Sequence, residues 1–164
     1  MLTSQQLLIL KAALLAETDP TLVELRTAGS TDLIAEWLNQ SAVPDVIVWR
    51  TSVPQDEIMM NGFDWVQVDN LSIGKARIWE WLFSNSGRTM NPSKPNVRAG
   101  VDECWKGTAA MLAVRAAVYT HCKRKATRAE KLYATGVGTD ASPALLTFEG
   151  HVSDYDVVQT LYQF

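Results

Sequence analysis

Apolar residues recur at helical spacing along the first forty positions, in three short blocks separated by Ser, Thr, Asp, Pro and Gly. Leu7, Leu10, Leu14 and Leu15 fall along one face of a helix entered at Thr3-Ser4 and running to about Glu17. Thr18-Asp19-Pro20 starts a second helix, with Asp19 as its cap, Pro20 in the first turn and Ala28-Gly29 as a left-handed stop. Ser30-Thr31-Asp32 opens a third, through about Gln40, that buries Leu33, Ile34, Trp37 and Leu38. Residues 1–41 therefore read as a compact N-terminal helical unit.

Val43-Pro44 breaks the pattern, and Val46-Ile47-Val48-Trp49 is β-prone, a short strand or an extended connection. Pro54-Gln55-Asp56-Glu57 starts a short helix that Asn61-Gly62 ends. Asp69-Asn70-Leu71-Ser72 caps the next, which carries Ile73, Ala76, Ile78, Trp79, Leu82 and Phe83. Residues 85–96, with Ser86-Gly87, Asn91-Pro92 and Lys94-Pro95, predict an extended loop, long enough to serve as a contact arm. A helix from about Val97 to Trp105 follows.

The longest predicted helix runs from Ala109 to about Ala126, and its small Ala residues suit it to the centre of a bundle. Thr127-Arg128-Ala129-Glu130 either starts a new helix through a capping box or continues that one. Residues 136–152 form a loop with a strand at Leu145-Leu146-Thr147-Phe148-Glu149. Ser153-Asp154-Tyr155-Asp156 caps a last helix through Leu161. The expected fold is mainly α over one domain, 1–164: a helical bundle with a long central helix, a long Pro/Asn-containing loop and a small β element near the C-terminus.

Composition adds little to this and excludes some alternatives. A chain of 164 residues, 47% apolar and 20% charged, can bury a real core. The net charge of −3 does not advertise nucleic-acid binding by the whole molecule. Charge is uneven, with acids dominant up to about residue 82 and bases concentrated in Lys123, Arg124, Lys125, Arg128 and Lys131. The two widely spaced cysteines, Cys104 and Cys122, fit buried free thiols in a reducing compartment. The apolar run from Leu7 to Leu15 is interrupted by Lys11 and has neither signal-peptide nor membrane-span character, so no membrane is expected.

Candidate chemistry is sparse. His121 and His151 have no partner at metal-ligand spacing. Gly136-Val137-Gly138 follows a helix and lacks the third glycine and the lysine of a phosphate-binding loop. The carboxylate pairs Asp56-Glu57, Asp102-Glu103 and Asp154/Asp156 are close in sequence, which does not make an acid/base pair across a cleft. We therefore expect no enzyme, no cofactor and no metal. On a continuous helix Arg124, Arg128 and Lys131 would share a face, able to meet an acidic neighbour, to meet DNA backbone, or simply to favour the helix C-terminus. Trp79 and Trp81, two apart on one helix, point different ways, so one of them should face something other than the subunit's own core.

Three segments carry a resemblance: Trp49-Arg50-Thr51-Ser52-Val53-Pro54, Lys75-Ala76-Arg77, and the run from Cys122-Lys123-Arg124-Lys125 to Thr135-Gly136. They resemble small proteins of tailed-bacteriophage morphogenesis gene blocks, in particular head–tail connector (adaptor) proteins. The resemblance implies a structural part in the neck of the virion, made in the host cytoplasm and assembled as a ring of twelve copies. It implies the portal protein and a stopper or tail-completion protein as partners, with passing contact to DNA in the channel. On that basis Trp79, Trp81, Lys94, Arg98, Arg124, Arg128, Tyr155, Tyr162 and Phe164 are the expected oligomer or portal interface. The alternative is a small DNA-contacting or regulatory phage protein that uses the basic Lys123–Lys131 stripe.

Overall fold

A computed structural model describes residues 1–60 and 62–163. In chain order its elements are α1 (Ser4–Ala16), α2 (Pro20–Ala28), α3 (Thr31–Asn39), β1 (Ile47–Trp49), β2 (Val53–Pro54), α4 (Gln55–Met60), α5 (Val66–Asp69) and α6 (Ile73–Trp81). There follow β3 (Thr89–Met90), α7 (Pro95–Cys104), α8 (Ala109–His121), β4 (Lys123–Lys125), α9 (Arg128–Leu132), β5 (Ala134–Thr135), β6 (Leu145–Leu146) and α10 (Asp154–Val158). The last helix runs on as a π-helical turn, Gln159–Gln163. The fold is helix-rich with a few small strands. It divides into two compact units, Met1–Val48 with the chain from Lys125 onward, and Trp49–Arg124.

In the first unit, α1 begins with a reciprocal cap in which the Thr3 hydroxyl accepts from Gln6 N and the Gln6 side chain accepts from Thr3 N. Leu7, Leu10 and Leu14 are buried, whereas Leu15 is 61% exposed. Leu15 stands one residue, about 100°, round the helix from Leu14, so it cannot share that face. Asp19 caps α2 by accepting from Thr21 N at 2.9 Å, and Gly29 closes the helix at φ 69°. In α3 the buried residues are Ile34, Ala35 and Leu38, while Leu33 is exposed and Trp37 half-buried. Together with Leu22, Ala129, Val152 and Val157 these make one core, each fully buried aliphatic side chain contributing roughly 1.5–3 kcal/mol.

The C-terminal part of this unit is held by polar anchors. Thr127 and Glu130 form a capping box that starts α9 as a separate helix. Buried Glu130 also accepts from Gly150 N at 3.2 Å, fixing the loop before α10. Ser153 and Asp156 form the box that starts α10. Residue Gly138, at φ 74°, donates its N–H to Ser142 O and accepts from Ile47 N at 2.8 Å. A Cβ there would come within 2.7 Å of Val46 Cγ1, so glycine is required for both backbone and space.

The second unit is built on aromatic rings. Phe63 stacks on Trp79 at 5.9 Å and meets Trp105 edge-on at 5.5 Å; Trp79 meets Trp105 at 5.3 Å and Phe83 at 5.1 Å. Val101, Cys104, Val114, Val118 and Cys122 close around them. β2 and β3 pair antiparallel, Val53 opposite Met90 and Pro54 opposite Thr89.

Two sequence expectations fail here for a physical reason. The segment 85–96 is not a free extended loop: β3 pairs with β2, Met90 and Pro92 are buried, and Pro95 already begins α7. Nor does the helix from Ala109 reach Ala126. It ends at His121, no longer than α1; Cys122 caps it with helical backbone, and Lys123–Lys125 is extended as β4. Within the second unit Cys122 O accepts from Arg50 N at 2.9 Å; within the first, Ala126 donates to Val46 O at 2.8 Å and accepts from Ala42 N at 3.0 Å. These distant backbone partners outweigh the local helix preference of the Lys-Arg-Lys run. The Asn61 part of the expected Asn61-Gly62 stop lies outside the described residues.

Candidate interaction surfaces

Breaking the helix at Cys122 disperses the expected basic stripe. Arg124 is half-buried on β4, whereas Arg128 and Lys131 stand on α9. Lys125 pairs with Asp45 at 2.6 Å. The Arg128 guanidinium donates to Trp37 O at 3.1 Å and Gln40 Oε1 at 2.8 Å, and lies 4.1 Å from the Trp37 ring centroid. Lys131 Nζ donates to Val43 O at 3.3 Å. Most of this charge is committed to the subunit's own structure and does not form one helical face.

The other expected interface residues separate in the same way. Trp79 is buried at the centre of the aromatic core and presents nothing to a neighbour, because its helix turns that face inward. Trp81 is 65% exposed. Lys94 is exposed at the N-terminal cap of α7. Arg98 is half-buried, donating to Pro92 O at 2.6 Å and Ser93 O at 3.0 Å while its guanidinium lies over Trp49 at 4.8 Å. Tyr155 and Tyr162 are both exposed, and Phe164 lies outside the described residues. Of the set, Trp81, Lys94, Tyr155 and Tyr162 are free to meet a partner.

Sequence reasoning missed two features. The first is an ion pair in the second unit: Arg50 grips Glu57 with both guanidinium nitrogens and donates to His121 O at 3.0 Å. Arg50 holds the Glu57 carboxyl below its ordinary range, against a smaller upward push from burial. His121 Nδ1 stands 3.8 Å from the same carboxylate. A carboxylate so clamped is a poor proton acceptor, so this is a structural anchor. Val48-Trp49-Arg50 and Glu57 were too far apart in pattern to suggest it.

The second is a cavity of about 240 Å³ in the first unit. Leu14, Leu22, Trp37, Leu38 and Leu132 give it an apolar lining, and Val43, three-quarters exposed, stands with them. Glu17 and Asp19 reach it from the α1–α2 joint, and Arg128 and Lys131 from α9. Nothing in the sequence announces it, because its walls come from residues more than a hundred positions apart.

Comparison with family models, with curated proteins and with solved structures finds no match. Among the described residues, no group of three or more His, Cys, Asp or Glu side chains could hold a metal ion. No helix among them is long and apolar enough to cross a membrane. Both cysteines are buried and free, and burial pushes their thiols up, Cys104 to about 11 and Cys122 to about 12. Burial, and then a hydrogen bond to Asp102 at 2.9 Å, likewise raises the Tyr119 phenol. What the surface offers is apolar: Trp65 at 58%, Val66 at 67%, Ile73 at 81% and Trp81 in the second unit, Leu8 and Leu15 on α1 in the first.

Proposed function

We propose that this chain is a structural virion part, copies of which assemble as a ring in the phage neck and join the portal of the head to the tail. The phage setting rests on the sequence resemblance of Trp49-Arg50-Thr51-Ser52-Val53-Pro54, Lys75-Ala76-Arg77 and the run from Cys122 to Gly136; the structural observation that supports a contact surface is the pair of large indoles, Trp65 and Trp81, left more than half exposed beside a well-filled aromatic core. Exposed tryptophans of this kind are typical of protein contact surfaces, where a fully covered indole is a common hot spot. A second support is α1, which from Leu7 onward is apolar on nearly every side, Lys11 excepted, yet buries only one of its faces.

On this reading twelve copies close the ring, the portal meets one side and a stopper or tail-completion protein the other, and DNA passes through the channel. Trp81, Lys94, Tyr155 and Tyr162 are the residues that meet sister copies or the portal. The finer architecture belongs to the same proposal, with α8 as the central helix of a bundle and Leu145–Leu146 as its small β element. The test is quantitative mass spectrometry of purified phage particles. A copy number equal to that of the portal protein supports the proposal, and absence from particles overturns it. Removing residues 158–164 is expected to abolish attachment to isolated portal rings; unchanged attachment would argue against docking through the C-terminus.

A further inference from the structure

Helix α1 carries a second apolar face that its own unit leaves uncovered. Leu7, Leu10 and Leu14 turn into the core, whereas Leu8, Ile9, Ala12, Leu15 and Ala16 are exposed, Leu8 at 56% and Leu15 at 61%. At about 100° per residue the exposed set spans about 120° of the helix, separate from the buried stripe. Leu8, Ala12 and Ala16 are four apart and form one surface ridge; Ile9, Ala12 and Leu15 are three apart and form the ridge that crosses it. The two ridges meet at Ala12, whose methyl group is the low point among three larger side chains. Lys11, the one charged residue of α1, is half-buried and stands about 100° round the helix from Ala12. Gln5, at the N-terminal end, is the one polar residue within the face. A face this free of charge offers nothing to phosphate or to a charged partner.

The face is complementary to itself. A two-fold axis beside Ala12 lays α1 antiparallel on its copy, with the helix dipoles opposed. Leu8 then meets the partner's Ala16, Ile9 meets the partner's Leu15, and each Ala12 meets the other where the helices cross. Large side chains thus oppose small ones, which lets the two surfaces interdigitate. We propose that the free chain pairs with a second copy through this face, α1 against α1. At 13 residues the helix is about 20 Å long, and one helix width falls short of the roughly 800 Å² per partner of a standard interface. The pair is therefore weak and reversible. A two-fold pair holds its copies pointing opposite ways, so it has no place in a ring whose two sides differ. It is the form of the chain before assembly, and the inference does not need the ring reading to hold.

Disulfide trapping in the full chain tests the geometry. Helix axes about 10 Å apart leave roughly 5 Å between the two position-12 Cα atoms, within the disulfide range of about 4.4–6.8 Å. Under oxidised glutathione, Ala12→Cys is expected to give a covalent dimer. Leu8→Cys is expected to give none with itself, but to join a chain carrying Ala16→Cys. The unaltered chain serves as the blank, because Cys104 and Cys122 are buried. No dimer from Ala12→Cys, or a dimer from Leu8→Cys alone as a parallel pair would give, overturns the proposal. Sedimentation between about 1 µM and 1 mM gives an independent readout. The unaltered chain should show a reversible monomer–dimer equilibrium, and Leu8→Asp should weaken it at least about tenfold. Leu8 is exposed, so the variant keeps its fold, which circular dichroism checks. A monomer throughout, or a dimer that survives Leu8→Asp, overturns the pairing. So does a monomer that cosediments with phosphatidylcholine vesicles and loses them on Leu8→Asp, since the face would then belong to a lipid surface. The copy number in phage particles bears on the ring reading alone, so either can fail without the other.

Discussion

Arg128 lies over the ring of Trp37, its guanidinium carbon 4.1 Å from the centroid, and one of its nitrogens bonds Trp37 O and Gln40 Oε1. This single side chain ties α9 to the end of α3. A cation over an indole at a partly exposed site contributes about 0.5–1 kcal/mol, and hydrogen bonds from a charged donor about 1.5–3 kcal/mol. Arg128→Ala is therefore expected to cost about 2 kcal/mol in urea unfolding, with an unchanged denaturant slope. Arg128→Lys should recover less than half, since an ammonium lacks the planar fork that stacks and donates together. A cost below about 0.5 kcal/mol for the alanine variant would mean the contact is not formed.

Buried Asp156 accepts from Leu2 N at 2.9 Å, from Ser153 N at 3.0 Å and from the Ser153 hydroxyl at 2.6 Å. Burial alone would raise its pKa, but the Ser153 hydroxyl and the two backbone donors outweigh burial and hold it below the ordinary 3.8. The folded state thus binds this proton more weakly than the unfolded chain. Its stabilisation is present above the ordinary value and disappears as pH falls through the lower folded value. Asp156→Asn should flatten the acid limb of the stability curve below pH 3.8, and Asp156→Ala should cost about 1–3 kcal/mol at neutral pH by orphaning Leu2 N. Acid unfolding followed by circular dichroism at several pH values checks both.

Cys104 and Cys122, raised to about 11 and 12, carry almost no thiolate near pH 8. A disulfide-exchange reagent should modify neither in the native protein on the minutes scale, and both at once in denaturant. Rapid labelling of either in native buffer would contradict their burial.

The indole nitrogens of Trp79 and Trp105 are buried and have no hydrogen-bond partner among the described residues. Trp105→Ala should cost about 3–5 kcal/mol, the usual range for emptying such a site. Trp105→Phe should cost less than half of that, because it keeps the contact with Phe63 and removes an unsatisfied N–H worth about 1–3 kcal/mol of desolvation. Equal costs for the two variants, measured by chemical denaturation, would show that the nitrogen is satisfied in solution.

Much of the helical layout was legible along the chain. Caps were written in side chains that act over three residues: Asp19 before Pro20, Ser72 before Ile73, Thr127 with Glu130, Ser153 with Asp156. The opposed directions of Trp79 and Trp81 followed from helical geometry, and the structure buries one and exposes the other. Phe83, one turn on, is a local neighbour of Trp79, but which of the two would turn inward also depended on Phe63 and Trp105, which no local pattern places beside it. The expected basic stripe failed at Cys122 for a related reason, since a helix through Arg124 is locally sound and loses only to distant backbone partners.

The sequence by itself determined where several helices begin, at their side-chain caps, and that tryptophan is unusually abundant between Trp37 and Trp105. Those properties depend on neighbours within one or two turns, so a linear reading reaches them. Only the tertiary structure decided that the chain's two ends fold together as one unit while its middle forms another, and that α1, α2, α3 and α9 leave a cavity between them. Such features arise from packing between segments more than a hundred residues apart, where the free energy lies in burial and backbone pairing that no local pattern records.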